Sequence, residues 1–138
     1  MDWKMILLDS SFLVAIAVAT DENHEKAKKI IEEILTGAFG EMIISDYVFD
    51  ETVTVTLLKT RDLKKAVFVG ENLRLSARTI NVDDNLFDIS WNVFKEQKNT
   101  QLSFTDCTNI ALMRNNKIKN IATFDKDFKD VEGINVVS

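Results

Sequence analysis

Met5-Ile6-Leu7-Leu8-Asp9-Ser10-Ser11 decides how the rest of the chain is read. Four apolar residues run directly into an aspartate, and two small hydroxyl residues follow. A continuous apolar run of that length reads as a strand buried on both faces, as in a parallel sheet. In open α/β sheets, ligands gather beyond the carboxyl ends of the strands. Asp9 stands at such an end, and Ser10 or Ser11 is suited to cap the helix that follows. The chain therefore opens with a strand, an acid at the functional edge and a helix start.

Outward from that stretch, strand and helix patterns alternate. Residues 11–19 read as a short, mostly buried helix. Residues 24–35 carry Ala27, Ile30, Ile31, Ile34 and Leu35 at helical spacing, with charges on the other face, and Gly37 and Gly40 end that helix. Residues 42–45 form a second strand, 46–59 a helix, and Asp62 caps a further helix to residue 77. A short third strand at 79–82 precedes a helix at 84–98, a polar loop at 97–101 and a helix at 103–115. Strands at 120–124 and 134–137 complete the pattern. Strands separated by helices imply a three-layer α/β/α domain, with a central parallel sheet of about five strands. With no proline, internal repeat or linker-like segment, residues 1–138 read as a single domain.

Composition narrows the chemistry. At 138 residues, 46% hydrophobic and 28% charged, the chain is long enough for a sizeable core and is globular rather than disordered. A net charge of −5 argues against non-specific coating of DNA, which needs a basic footprint. It remains compatible with an enzyme that meets nucleic acid at a metal-loaded site, because bound cations reverse the local charge. The lone Cys107 excludes an internal disulfide and points to a reducing compartment. The apolar run 12–19 falls well short of the roughly 20 residues a membrane span needs, and Lys4 with its apolar stretch makes no secretory signal because Asp9 interrupts it, so a soluble cytoplasmic protein is expected. One histidine and one cysteine are too few for a Cys/His zinc site. A Ser-His-Asp or Cys-His arrangement would have to use His24, expected at the surface in a polar helix start. The four glycines form no phosphate-binding loop.

The informative residues are acids in places where acids are costly. On a helical wheel Glu51 falls among Tyr47, Val48, Val55 and Leu58, the apolar stripe of its helix. A carboxylate buried there needs a partner or a cation. The alternative is a rim ion pair with Lys59 or Arg61. Neighbouring Asp50 points to another side, and Asp46 is suited to cap the helix. Asp106 shares a face with Ile110 and Met113, while Ser103-Phe104-Thr105-Asp106 reads as a capping box. Both roles are compatible, since a helix N-terminus stabilises an ionised carboxylate. Asp125 ends its strand as Asp9 ends the first, with Asp127 close behind. In a parallel sheet Asp9, Glu51, Asp106 and Asp125 all face one edge. Four carboxylates repel one another unless cations are present. Oxygen ligands without histidine suit one or two Mg²⁺ or Mn²⁺ ions. Such ions activate water and stabilise charge on a phosphodiester under attack.

This pattern resembles the PIN domain, the metal-dependent ribonuclease fold of VapC-type toxins in toxin–antitoxin pairs. The resemblance covers nearly the whole chain. It rests on Leu8-Asp9-Ser10-Ser11-Phe12-Leu13, Ser45-Asp46-Tyr47-Val48-Phe49-Asp50-Glu51, Leu102-Ser103-Phe104-Thr105-Asp106 and Thr123-Phe124-Asp125-Lys126-Asp127-Phe128. It implies that Asp9, Glu51, Asp106 and Asp125 form the acidic site for Mg²⁺ or Mn²⁺. It further implies hydrogen-bond support from Ser11 or Thr123 and an auxiliary acid in Asp127. The implied reaction is endonucleolytic cleavage of RNA by a metal-activated water. A homodimer and a cognate antitoxin are the implied partners, with exposed aromatics on the 84–98 or 62–77 helix available to an interface. Asp50 leaves the second acid open by one position, and the helical face favours Glu51. Lys59, Arg61, Lys64 and Lys65 read first as a solvated face and only second as phosphate contacts. Two other readings stand beside this one. The first is a PIN-like module that binds or assembles without cleaving. The second is a phosphoryl-transfer protein of flavodoxin-like topology, for which Ser11 occupies the place of a needed second aspartate.

Overall fold

The computed structural model describes residues 4–138. Its elements are, in order, β1 (Met5–Leu8), α1 (Ser10–Ala17), α2 (His24–Leu35), β2 (Glu41–Ser45), α3 (Asp46–Thr60), α4 (Leu63–Ser76), β3 (Arg78–Ile80), α5 (Asp84–Lys95), α6 (Phe104–Asn115), β4 (Asn120–Ala122), a 3₁₀ turn (Lys126–Asp130) and β5 (Asn135–Val137). The five strands form one sheet in the order β3-β2-β1-β4-β5, and every pairing is parallel. Their carboxyl ends therefore share one edge. The strand order reverses between β1 and β4, which is where open α/β sheets leave a crevice. A flavodoxin-like sheet would place β1 between β2 and β3, so that alternative is excluded.

The opening strand is buried on both faces, as its apolar run requires. Ile6 and Leu8 point into one layer with Phe12, Leu13 and Ile34, from α1 and α2. Leu7 points into the other, with Ile110, Leu112 and Met113 from α6. β2 and β4 repeat the alternation, with Ile44 and Ala122 on the first side and Ile43 and Ile121 on the second. Each fully buried Leu or Ile contributes about 1.5–3 kcal/mol relative to exposure. These central strands thus anchor the sheet, whereas β3 at the edge is largely exposed.

Several boundaries differ from the sequence pattern for local reasons. α1 starts at Ser10 with Asp9 in the N-cap position, and the Asp9 side chain makes no capping bond. Neither Ser10 nor Ser11 is the cap. Ser45, not Asp46, caps α3 by accepting from the Val48 amide at 3.0 Å. Asp46 instead accepts from the Val82 amide at 2.8 Å, tying the loop after β3 to α3. The strand expected at 120–124 ends at Ala122 because Thr123 and Asp125 turn the chain through their own side chains. His24 is half-buried rather than at the surface, and its Nδ1 donates to the Ala15 carbonyl at 2.7 Å, joining α2 to α1.

Candidate active site

Asp9, Glu51, Asp106 and Asp125 all line one cleft of about 660 Å³ at the carboxyl edge of the sheet. Each arrives from a different segment. Asp9 leaves the end of β1, and Asp125 follows β4 on the other side of the strand-order reversal. Glu51 comes from the second turn of α3 and Asp106 from the first turn of α6.

The route of Glu51 to the cleft differs from the helical-wheel expectation. The buried stripe of α3 is Val48, Thr52 and Thr56. Leu58, assigned to the apolar stripe, is 69% exposed. Phe49 and Val53 form a second face and pack on Gly70 of α4, Val53 Cγ1 lying 3.1 Å from where a Cβ would stand. That leaves Glu51, Val55 and Lys59, spaced four apart, as the face that lines the cleft. α3 is thus packed on two sides, and its third side carries the acid. Ser10 Oγ donates to Glu51 Oε1. Neither Lys59 nor Arg61 pairs with Glu51 among the described residues. Asp50 is exposed and accepts from Thr54, so it lies outside the cleft.

Asp9 is 2% exposed. Its Oδ2 accepts from Thr123 Oγ1 at 2.7 Å and from Ser11 Oγ at 2.9 Å, and its Oδ1 accepts from Asn109 Nδ2 at 3.1 Å. Ser11 and Thr123 therefore both touch the acid, and they also lie 3.1 Å from each other. Burial raises the Asp9 carboxyl above the usual carboxylate range, the Thr123 and Ser11 hydroxyls oppose that rise, and the Glu51 charge adds to it. Asp106 is 8% exposed and completes the capping box. Its amide donates to Ser103 Oγ at 3.1 Å, and its Oδ2 accepts from the Ser103 amide at 3.1 Å. Burial first, then the charge of Asp9, pushes its carboxyl up to about 7. Capping and cleft-lining are thus two faces of one side chain.

Asp127 does not line the cleft. Its Oδ2 accepts from the Gln101 amide at 3.1 Å, which holds the loop leading into α6. Its own amide donates to Asp125 Oδ1 at 3.0 Å. Asn109, which donates to Asp9 from inside the core, is the residue beside the site that sequence reading missed. It stands one turn after Asp106 and is fully buried, and that i, i+3 spacing was the available signal. Cys107 contributes no nucleophile. It is buried, and desolvation together with Asp106 pushes its thiol up to about 11.

The donor set suits a hard divalent cation in kind, being all carboxylate oxygen. No Lys or Arg among the described residues pairs with Asp9 or Asp106, so their buried charge is not neutralised by protein. As placed, no three acids among the described residues converge closely enough to hold an ion together. Each leans on a protein donor instead, Glu51 on Ser10, Asp106 on Ser103 and Asp125 on Asp127. Each of these three keeps a second oxygen with no hydrogen-bond donor among the described residues.

The PIN domain family profile matches residues 6–134, and the chain belongs to that family. It is 32% identical over 126 residues to the 23S rRNA-specific endonuclease VapC20 of Mycobacterium tuberculosis, a match spanning 90% of this chain and 92% of the relative. The crystal structure of M. tuberculosis VapC20, described there as a Sarcin-Ricin loop cleaving toxin, matches with a TM-score of 0.78 at 28% identity, over 91% of this chain and 93% of that one. VapBC2 from Rickettsia felis, bound to a DNA fragment from its promoter, matches with a TM-score of 0.72 over 96% and 97% of the two chains. At 12% identity that likeness concerns the fold alone.

Proposed function

We propose that this chain is a divalent-metal-dependent endoribonuclease of the VapC type, the toxin of a toxin–antitoxin pair. The observation that carries the reading is the arrival of four carboxylates from four separate segments at one cleft, at the switch point of a PIN-family sheet. Asp9, Asp106 and Asp125 would hold Mg²⁺ or Mn²⁺, with Glu51 completing or supporting the set. A cation there would supply Lewis acidity toward a phosphodiester and a water of lowered pKa. The chain's own contribution is orientation and charge. Thr123, Ser11 and Asn109 fix the Asp9 carboxylate, the α6 N-terminus favours ionised Asp106, and Ser10 holds Glu51. No side chain is required as a nucleophile.

A cognate antitoxin and a second copy of the chain are the proposed protein partners. Two exposed apolar surfaces are available to them. One is the α5 ridge of Phe87, Trp91 and Phe94. The other is a groove of about 420 Å³ between α1, α2 and α4, flanked by Leu35 and Phe68.

The test is cleavage of a mixed RNA pool with Mn²⁺ or Mg²⁺ by wild type, Asp9→Asn and Asp106→Asn. Metal-dependent cleavage that disappears in both variants is the expected result. A folded wild type that binds metal and RNA without cutting would favour the non-cleaving binding module.

A further inference from the structure

Beside the acidic cleft lies a second one, of about 580 Å³, between α2 and the 3₁₀ turn after β4. The two share a wall made of Glu22, Asn23, Phe124 and Asp125. Their charges are opposite. In the acidic cleft Asp21 and Glu22 join the four acids, against Lys59 as the one cation among the described residues. The neighbouring cleft is lined by Lys26, Lys29, Lys126 and Lys129, with Glu22 and Asp125 on the shared wall. For a chain of net charge −5, four lysines in one cleft are a strong local departure.

The backbone explains why they gather. Lys26 and Lys29 are three apart on α2 and so lie on one face. Lys126 and Lys129 are three apart on a 3₁₀ turn, where side chains at that spacing eclipse. All four are exposed, and none has a carboxylate within ion-pair distance among the described residues. By contrast Lys59, Arg61, Lys64 and Lys65, close in sequence, disperse. Lys59 lines the acidic cleft and Lys65 lines the apolar groove on the other side of α1.

We infer that the α2/3₁₀ cleft is the track for the RNA strand on one side of the scissile phosphate. Its lysines take the flanking backbone phosphates, and Phe124 forms the ridge over which the strand passes into the acidic cleft. The inference rests on the endoribonuclease reading and adds which surface positions the substrate. A phosphate entering the acidic cleft gains from bound cations, but its neighbours along the strand meet only protein. A cationic surface contiguous with the cleft is what that neighbouring stretch requires.

The probe is a labelled single-stranded RNA oligonucleotide of mixed sequence. Its affinity is measured in EDTA across a salt series, and its cleavage is measured with Mn²⁺. The proteins are wild type, Lys26→Ala/Lys29→Ala, Lys126→Ala/Lys129→Ala and a remote pair, Lys117→Ala/Lys119→Ala, exposed and lining neither cleft nor the apolar groove. Each cleft pair should flatten the dependence of log affinity on log salt by about 1.4, from two contacts of about 0.7 each. Each should also raise KM about tenfold with kcat held. The remote pair should match wild type, and Lys26→Arg/Lys29→Arg should keep the wild-type slope. Cleft pairs with wild-type slope and KM would overturn the track and leave the endoribonuclease reading standing. A wild type that neither binds nor cleaves RNA would remove the reading and the track together.

Discussion

Asn109 Nδ2 donates to Asp9 Oδ1 at 3.1 Å, joining α6 to the end of β1 across 100 positions of sequence. The other amide atom, Asn109 Oδ1, is buried with no partner among the described residues. An amide spending one end on a carboxylate and leaving the other unmet is held there by the carboxylate. Asn109→Ala should weaken Mn²⁺ affinity or activity by about 10–100-fold, the usual effect of removing a residue that orients a ligand. It should also lower stability by about 1–3 kcal/mol, because the buried Asp9 Oδ1 loses its donor. Mn²⁺ titration of cleavage, beside thermal melts, checks both. A fall in melting temperature with an unchanged Mn²⁺ requirement would leave Asn109 as core packing alone.

Asp9→Asn should abolish cleavage and raise the melting temperature of the metal-free protein. The carboxylate is buried without a cationic partner among the described residues and near the Glu51 and Asp106 charges, so neutralising it removes a desolvation and repulsion cost. The geometry tolerates the amide. Its oxygen can accept from Thr123 and Ser11, and its NH₂ can meet the unpaired Asn109 oxygen once that amide turns over. Melts in EDTA and RNA cleavage with Mn²⁺ are the measurements. An Asp9→Asn protein that still cleaves would remove Asp9 from the site.

The β1 reading held because Ile6, Leu7 and Leu8 face two different cores, and only a two-sided burial makes an uninterrupted apolar run. Asp9 and Asp125 were legible for the same reason, each marking the point where such a strand ends. Glu51 was placed at the cleft by a helical wheel whose stripe was wrong. A wheel assumes one buried face, whereas α3 packs on the core and on α4 at once, and Leu58 ends up in solvent. Asp127, expected as an auxiliary acid, has its carboxylate on the Gln101 amide and its own amide on Asp125 Oδ1, a placement that only the 3₁₀ turn makes visible. The lysine cleft was not legible, since α2 and the 3₁₀ turn are about a hundred residues apart and meet only through the sheet order.

Asp106 sets a pH dependence. Its folded pKa is raised from 3.8 to about 7, by burial first and by the Asp9 charge second. The folded chain therefore holds that proton more tightly than the unfolded chain. The associated stability is complete below the unfolded value and is lost as pH rises through the folded one. Metal-free protein should melt lower at about pH 8 than at about pH 5 on account of this group, and Asp106→Asn should flatten that difference. Mn²⁺ should raise the melting temperature more at the higher pH, where the carboxylates are ionised and free to bind it. Differential scanning at the two values, with EDTA and with Mn²⁺, is the check. A stabilisation by Mn²⁺ that does not grow with pH would argue against these acids as its ligands.

Gly40 separates a steric requirement from a conformational one. It has φ +85°, and a Cβ there would stand 2.1 Å from the Lys4 carbonyl oxygen, the acceptor of the Glu41 amide where β2 first pairs with the chain leading into β1. Gly133 has a similar φ of +80°, yet a Cβ there would meet nothing within 4 Å among the described residues. Gly133→Ala should therefore cost about 1–2 kcal/mol, the left-handed backbone penalty alone. Gly40→Ala should cost clearly more, because backbone must also move at the entry to the central strand pair. The β1 carboxyl end carries Asp9, so the displacement should reach the cleft and lower cleavage as well as stability. Chemical denaturation of the two variants, followed by cleavage under conditions where both are folded, distinguishes the cases. Equal destabilisation of the two would mean that the Lys4 segment yields freely and that the close approach at Gly40 is not what fixes β1 against β2.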